Sequence, residues 1–248
     1  MPSYLITGAS RGIGLAMVAA LLEQPDTFVV AAARSPKQSK GLQELSARYK
    51  DRLALIVIDY ANFASIDEAA KQAAAVLPDG LDYLISNAGA ALQSPIGFED
   101  IDVNVFEEEL RINAVAPVQV VRAFLPLVKR GKEKKIVLVT SELGSLEKAP
   151  VFTTLAITYS ATKTALNIIA RRWAPVLAEE GIATILIHPG WVDTDLGNEI
   201  NEWIADHFPG MSKISVDESV KGCLKVFKDA QVEKAIKYYN YDGTTQPW

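Results

Sequence analysis

The chain has 248 residues, 49% of them hydrophobic, and a formal charge of −5 at pH 7. That is apolar material enough for the core of one large α/β domain. The acidic balance repels phosphate backbones and anionic lipid, which excludes nucleic acid and membrane surfaces as first-choice partners. Cys223 is the only cysteine, so an internal disulfide and a thiolate metal cluster are both excluded, and no metal is expected. The strand pattern starts at Tyr4, which leaves no room for a secretory leader, and no apolar run is expected to reach the ~20 residues of a membrane span. A cytoplasmic, reducing setting is the expectation.

In chain order, β-branched and aliphatic runs predict strands at Tyr4–Thr7, Phe28–Ala32, Leu53–Ile58, Tyr83–Ser86, Ile136–Thr140, Thr184–His188 and Ile236–Tyr239. Helical spacing predicts helices over Ile13–Glu23, Ile66–Leu77, Val105–Lys129, Tyr159–Glu180 and Val216–Lys228. Strands alternating with helices imply right-handed crossovers and a single α/β domain, residues 1–248, with a doubly wound parallel sheet of about seven strands covered on both faces. The basic run Lys129–Lys135 reads as a solvated turn. Two irregular stretches, 143–158 and 191–215, are long for connections in such a fold and are expected to carry function.

The first strand runs into Thr7-Gly8-Ala9-Ser10-Arg11-Gly12-Ile13-Gly14 and then directly into an apolar helix. Glycines allow a tight turn and close approach of backbone to a pyrophosphate, and the helix N-terminus supplies free N–H groups. Gly8, Ser10, Arg11, Gly12, Ile13 and Gly14 are therefore read as a phosphate cradle. The spacing, G-x-x-x-G-x-G, resembles the first turn of the short-chain dehydrogenase/reductase family, and implies its Rossmann fold.

An acid closing the second strand would hold the ribose 2′-hydroxyl of NAD. Here the strand closes on Ala33-Arg34-Ser35. Arg34 and Arg11 offer two guanidiniums suited to a 2′-phosphate, so NADP(H) is the expected cofactor; the plain alternative for Arg34 is a solvated strand-end charge. Asp59 stands where the family places an Asp on the adenine amino group, and serves equally as a turn residue or helix cap. Asn87-Ala88-Gly89 closes the fourth strand, with Ser86 where the family usually has a second asparagine. Its small residues suit backbone lying against the cofactor, and Asn87 is expected to tie neighbouring strands together.

Tyr159 and Lys163 are one helical turn apart, so their side chains share a face. A free phenol titrates near 10, and a cation beside it would favour the phenolate. By itself this pair is an ordinary polar stripe. Further motifs in the family's order accompany it: Asn113-Ala114-Val115-Ala116-Pro117, Ser141 closing the fifth strand, and Pro189-Gly190-Trp191-Val192-Asp193-Thr194 after the sixth. Local hydrogen bonding is the bland reading of Ser141 and of Asn113.

Residue by residue, the resemblance implies that Tyr159 exchanges a proton with the substrate oxygen while Lys163 lowers its pKa and holds the nicotinamide ribose. It implies that Ser141 orients that oxygen, and that Asn113, through a distorted helix, anchors a water relaying protons toward Lys163. Pro189, Gly190, Val192 and Thr194 would wrap the nicotinamide, and Ser141, Leu143 and Trp191 would touch substrate. The expected activity is NADPH-dependent reduction of a small, apolar or aromatic ketone or aldehyde. An NAD(P)-dependent alcohol dehydrogenase running toward oxidation, and a non-catalytic NADP(H) sensor, are the alternatives.

The stretch between Ser141 and Tyr159 is longer than the family's commonest spacing. Leu143, Leu146, Val151, Phe152 and Leu155 from it, with Trp191, Trp203 and Phe208 from the second loop, either line the substrate pocket or pack the loops down. Pro175 is expected to kink its helix or remove one of its hydrogen bonds, which argues against the helix-on-helix contact through which relatives form homodimers or homotetramers. The closing Tyr238–Trp248, with a D-G turn and a terminal P-W, resembles the carbonyl reductase branch that includes the insect sniffer reductase and fungal norsolorinic acid ketoreductase. His188 and Cys223 are read as structural.

Overall fold

In the computed structural model, which describes residues 1–248, seven strands form one wholly parallel sheet. They are β1 (Ser3–Thr7), β2 (Phe28–Ala33), β3 (Leu53–Val57), β4 (Tyr83–Ser86), β5 (Lys135–Val139), β6 (Ala183–His188) and β7 (Tyr238–Asn240), in the order β3-β2-β1-β4-β5-β6-β7. The register pairs Leu5 with Val30 and with Leu84. Because side chains alternate across a strand, Leu5, Val30, Leu84 and Leu138 enter one core, and their neighbours Ile6, Ala31, Ile85 and Val137 enter the other. Each fully buried aliphatic side chain contributes about 1.5–3 kcal/mol, so two apolar faces specify the double layer.

The helices are α1 (Gly12–Leu22), α2 (Lys40–Arg48), α3 (Phe63–Val76), α4 (Val103–Leu110), α5 (Ala116–Arg130), α6 (Ile157–Glu179), α7 (Asp195–Asn198), α8 (Asn201–His207) and α9 (Val216–Asp229). Ile66 of α3, Phe124 of α5 and Leu166 of α6 fill the first core, while Met17 of α1 and Phe227 of α9 fill the second. Strand order reverses between β1 and β4, and the crevice beyond their carboxyl ends is where such sheets bind ligands.

Three expectations are corrected. Helix α2 escaped the periodicity because Leu42 is its single buried residue; Ser39 caps it, accepting from the Leu42 amide at 3.4 Å. The run expected as one helix over Val105–Lys129 is α4 and α5 joined by a π-turn at Arg111–Val115. Together Val103–Arg130 make 28 helical residues that are long and apolar enough to cross a membrane by length and composition; Val120, Phe124 and Val128 are packed in the core. Helix α6 runs as expected through Pro175 to Glu179, the proline removing one donor without ending the helix. The 191–215 stretch is not structureless, since it contains α7 and α8.

Candidate active site

Apart from Asn113, in the π-turn between α4 and α5, the expected site residues lie on the loops and helix starts just beyond the carboxyl ends of β1 to β6. Gly8 has φ +67° and Gly12 φ +55°, the left-handed region, and a Cβ on Gly8 would stand 2.8 Å from the Ala88 Cα. A Cβ on Gly14 would stand 2.4 Å from the Gly8 carbonyl oxygen. Only glycine fits these positions, so the turn brings backbone against whatever occupies the crevice. Arg11 precedes α1 without making a side-chain cap, so the first amides of α1, including those of Gly12, Ile13 and Gly14, keep a free face for an anion.

Asn87 ties β4 to β1: its Nδ2 donates to the Thr7 carbonyl at 3.0 Å, and its backbone amide donates to Thr7 Oγ1 at 3.0 Å. Thr7 Oγ1 also accepts from the Ala88 amide and from the Tyr60 hydroxyl. Thr7 is the hub that aligns the two loops on either side of the crevice, a role its place in the T-G pair could have signalled. Asp59 Oδ1 accepts from the Ala61 amide at 3.0 Å, and the capping of α3 falls to Asn62. Between turn residue and helix cap, the turn is what Asp59 forms.

Arg34 is exposed just past β2 and makes no ion pair, so its guanidinium is available. Arg11 is different: its Nη1 lies 2.6 Å from Asp195 Oδ2 on α7. The expected second phosphate clamp is thus engaged across the crevice, at the place where Thr194 comes within 3.6 Å of a Cβ built on Gly12.

The four chemical side chains surround the end of β5. Lys163 is 3% exposed, and its Nζ donates to the Val139 carbonyl at 3.0 Å and sits 5.5 Å from the Tyr159 ring centre. A Cβ on Gly89 would stand 3.1 Å from Asn113 Oδ1 and 3.4 Å from Lys163 Nζ, so the β4 exit, Asn113 and Lys163 converge. Asn113 is wholly buried within the π-turn. It accepts from the Ala90 amide at 2.9 Å and donates to the Ala90 carbonyl at 2.7 Å and to Thr162 Oγ1 at 3.1 Å. The distorted helix anticipated for this residue is present, and the widened turn lets the side chain reach over to the β4 exit.

The electrostatics depart from the expectation. Burial pushes the Lys163 ammonium down to about 8. Burial also pushes the Tyr159 phenol above its ordinary value, with Ser141 opposing the rise and Glu109 adding to it. In the protein alone, desolvation of the phenolate sets the direction of the shift. Glu109 went unnoticed in the sequence. It is fully buried on α4, accepts from the Leu92 amide at 2.6 Å through Oε1, and leaves Oε2 without a partner.

Over Ser141 and Tyr159 lies a cavity of about 130 Å³ lined by Leu143, Phe152, Leu155 and Trp191 among others. It is smaller than the roughly 300–1,000 Å³ of ordinary ligand pockets, which suits a small substrate. Leu146 and Val151 instead face solvent, 71% and 54% exposed. Trp203 and Phe208 pack around Phe152 rather than lining the cavity, and Trp203 Nε1 donates to Thr154 Oγ1 at 2.9 Å. Lining of the cavity and packing of the loop are thus both observed, for different residues, while Leu146 and Val151 do neither. Glu142 and His188 also line the cavity. His188 Nε2 is 3.5 Å from Glu142 Oε1, and Lys148 Nζ is 3.2 Å from Oε2.

Comparison with known proteins gives a consistent outcome. The family model described as short chain dehydrogenase matches residues 3–205. An uncharacterized oxidoreductase of Schizosaccharomyces pombe is 33% identical over 251 residues, covering 99% of this chain and 97% of its own. Among solved structures, the NADPH-bound carbonyl reductase from chicken fatty liver superposes with a TM-score of 0.89 at 30% identity, covering 100% of this chain and 94% of that one. The carbonyl reductase Sniffer of Drosophila melanogaster does so with a TM-score of 0.88 at 28% identity, covering 100% of both chains.

Proposed function

The chain belongs to the short-chain dehydrogenase/reductase family, and from that premise we propose that it is an NADPH-dependent carbonyl reductase acting on a small, apolar or aromatic ketone or aldehyde. The observation that carries this reading is the convergence of Tyr159, Lys163, Asn113 and Ser141 at the exits of β4 and β5, beside an apolar cavity. The structural likeness to carbonyl reductases, one of them NADPH-bound, supports it.

The crevice fits a dinucleotide: Gly8 and Gly12 hold the left-handed φ values of a tight turn, the start of α1 is uncapped by side chains, and Arg34 is free for a 2′-phosphate. Gly8, Ser10, Gly12, Ile13 and Gly14 would hold the pyrophosphate, Arg34 the 2′-phosphate, and Ala88, Gly89, Pro189, Gly190, Val192 and Thr194 the nicotinamide half. When bound, the cofactor supplies hydride.

The Ser141 hydroxyl donates to the substrate carbonyl oxygen and fixes its position. The Tyr159 hydroxyl gives that oxygen its proton as the alkoxide develops, and the raised phenol pKa keeps this proton in place until it is needed. Lys163, still a cation near neutral pH, supplies positive potential as the phenolate forms. Asn113 holds Ala90 on both its amide and carbonyl, and so fixes the floor beneath Lys163. The apolar lining keeps water from the reacting oxygen. We place the protein in the cytoplasm, without metal, nucleic acid or membrane partners.

The test is loss of NADPH absorbance with a panel of aldehydes, aromatic ketones and quinones, with Tyr159→Phe as control. Turnover abolished in Tyr159→Phe, with NADPH binding retained, supports the reading. NADPH binding without turnover of any carbonyl sinks it in favour of a sensor.

A further inference from the structure

The stretch between Ser141 and Tyr159 forms one wall of the cavity, yet its own secondary structure amounts to two short 3-10 turns, at Glu142–Gly144 and Ala149–Val151. Something else must hold such a segment still, because a wall built of loop is only as well positioned as its anchors. One set of anchors comes from the last eleven residues of the chain.

After β7 the chain turns back on itself. The Asn240 amide donates to the Thr244 carbonyl at 2.8 Å and the Gln246 amide to the Tyr238 carbonyl at 2.7 Å. This return carries Trp248 to the flank of the loop, where its carbonyl oxygen accepts from the Glu147 amide at 2.9 Å. The Trp248 ring packs on that of Tyr238, 5.7 Å between centres, and the Arg171 guanidinium of α6 stands 4.2 Å over it. Tyr238 is 1% exposed, and its hydroxyl donates to the backbone carbonyl of Ser141, a residue 97 positions earlier. One continuous chain of contacts thus runs from Arg171 through Trp248 and Tyr238 to the residue expected to grip the substrate oxygen, with a branch to Glu147 in the middle of the loop.

We propose that Tyr238 and Trp248 are positioning residues: this closing segment is a strut that sets the Ser141 backbone and the 142–156 wall of the substrate cavity. Neither residue touches the reacting atoms. The strut acts on the carbonyl substrate and leaves the cofactor crevice alone, because its contacts fall on the 141–147 segment and α6, on the side of the sheet remote from Gly8 and Arg34. The inference rests on the reductase reading, since it presumes that Ser141 and this cavity serve a carbonyl.

Tyr238→Phe removes one oxygen and keeps the ring; Trp248→Ala removes the ring; Trp248→Phe restores an aromatic partner for Tyr238 and Arg171. With para-nitrobenzaldehyde and NADPH, Tyr238→Phe is expected to lower kcat about tenfold, since a displacement of catalytic groups by a fraction of an ångström has effects of that order. Trp248→Ala is expected to raise KM about tenfold, as the loop loses its flank, and Trp248→Phe to recover most of that loss. The dissociation constant of NADPH, read by fluorescence, should stay within about twofold in all three, a split that general destabilisation does not produce. Variants that bind NADPH normally and match wild-type kcat and KM within twofold overturn the strut alone. If Trp248→Ala does not fold, Tyr238→Phe decides by itself. A wild-type chain that binds NADPH but reduces no carbonyl overturns the reductase reading and the strut with it.

Discussion

The Lys163 ammonium is spent on the Val139 carbonyl, 3.0 Å away, in a position 3% exposed. Burial lowers its pKa from an ordinary 10.5 to about 8. The folded protein therefore binds this proton less tightly than the unfolded chain, and below pH 8 it holds a charge it disfavours, at a cost of about 3 kcal/mol. Between about pH 8 and 10.5 the unfolded state binds more protons than the folded one, so this residue makes stability rise with pH across that window. Lys163→Met, which carries no charge, is expected to be inactive yet to unfold at a higher temperature than wild type near pH 7. That advantage should shrink as the pH approaches 10. Thermal unfolding at the two pH values checks both the sign and the window; a less stable Lys163→Met protein at pH 7 would falsify the account.

Glu142 carries the opposite pH dependence. Burial by itself would raise its carboxyl, but His188 and Lys148 more than offset it and hold the pKa down to about 2 from 4.5. Its side chain is 22% exposed, so screening is modest. The folded state then releases this proton more readily than the unfolded chain. The resulting stabilisation, of about 3 kcal/mol, is present above pH 4.5 and is lost as the pH falls toward 2. Glu142→Gln should thus unfold at a lower temperature than wild type near pH 6, with the gap narrowing toward pH 2.5. A gap that does not change with pH would show that the ion pairs contribute nothing.

Much of this was legible in the sequence because the physics is local. The strand and helix positions follow from two hydrophobic periods, and the crevice follows from glycines at the first crossover; both are set by spacing along the chain. Asn113 in a distorted helix was foreseen from the resemblance, and the π-turn at Arg111–Val115 bears it out. What spacing could not show is which distant groups meet. The Arg11–Asp195 pair joins residues 184 positions apart, and Tyr238 reaches Ser141 over 97. His188 likewise meets Glu142, a residue at the exit of the neighbouring strand that no local spacing links to it. Leu146 and Val151, by contrast, carried an apolar label but no period, and loop residues without a period have no face the sequence can assign.

Gly8 tests the cradle with one methyl group. Its φ of +67° costs an L-residue on the order of 1–3 kcal/mol, and the added Cβ would also meet the Ala88 Cα at 2.8 Å, a contact only backbone movement can relieve. The loops carrying Gly8 and Ala88 form the two sides of the crevice, so that movement opens it. Gly8→Ala is expected to weaken NADPH binding at least tenfold and to lower stability by about 2 kcal/mol. Isothermal titration together with denaturant unfolding reads both; NADPH affinity within twofold of wild type would remove Gly8 from the cradle.

Cofactor choice should turn on Arg34 more than on Arg11. Arg34 is exposed and has no acidic partner, so a 2′-phosphate would meet a guanidinium that need not leave another ion pair. Arg11 must first give up Asp195, 2.6 Å away, although with the two side chains 76% and 73% exposed that pair itself is worth only about 0–1 kcal/mol. Arg34→Asp replaces a bidentate donor for phosphate by a carboxylate that repels it and can accept from a ribose hydroxyl. The ratio of NADPH to NADH efficiency is expected to fall by at least about a hundredfold, as two charge-assisted hydrogen bonds are exchanged for a repulsion. Asp195→Asn frees Arg11 and should raise NADPH affinity by no more than about fivefold, with the gain disappearing at high salt. Steady-state kinetics with both cofactors decides the first point. A preference unchanged by Arg34→Asp but reversed by Arg11→Asp would move the 2′-phosphate contact to the phosphate turn.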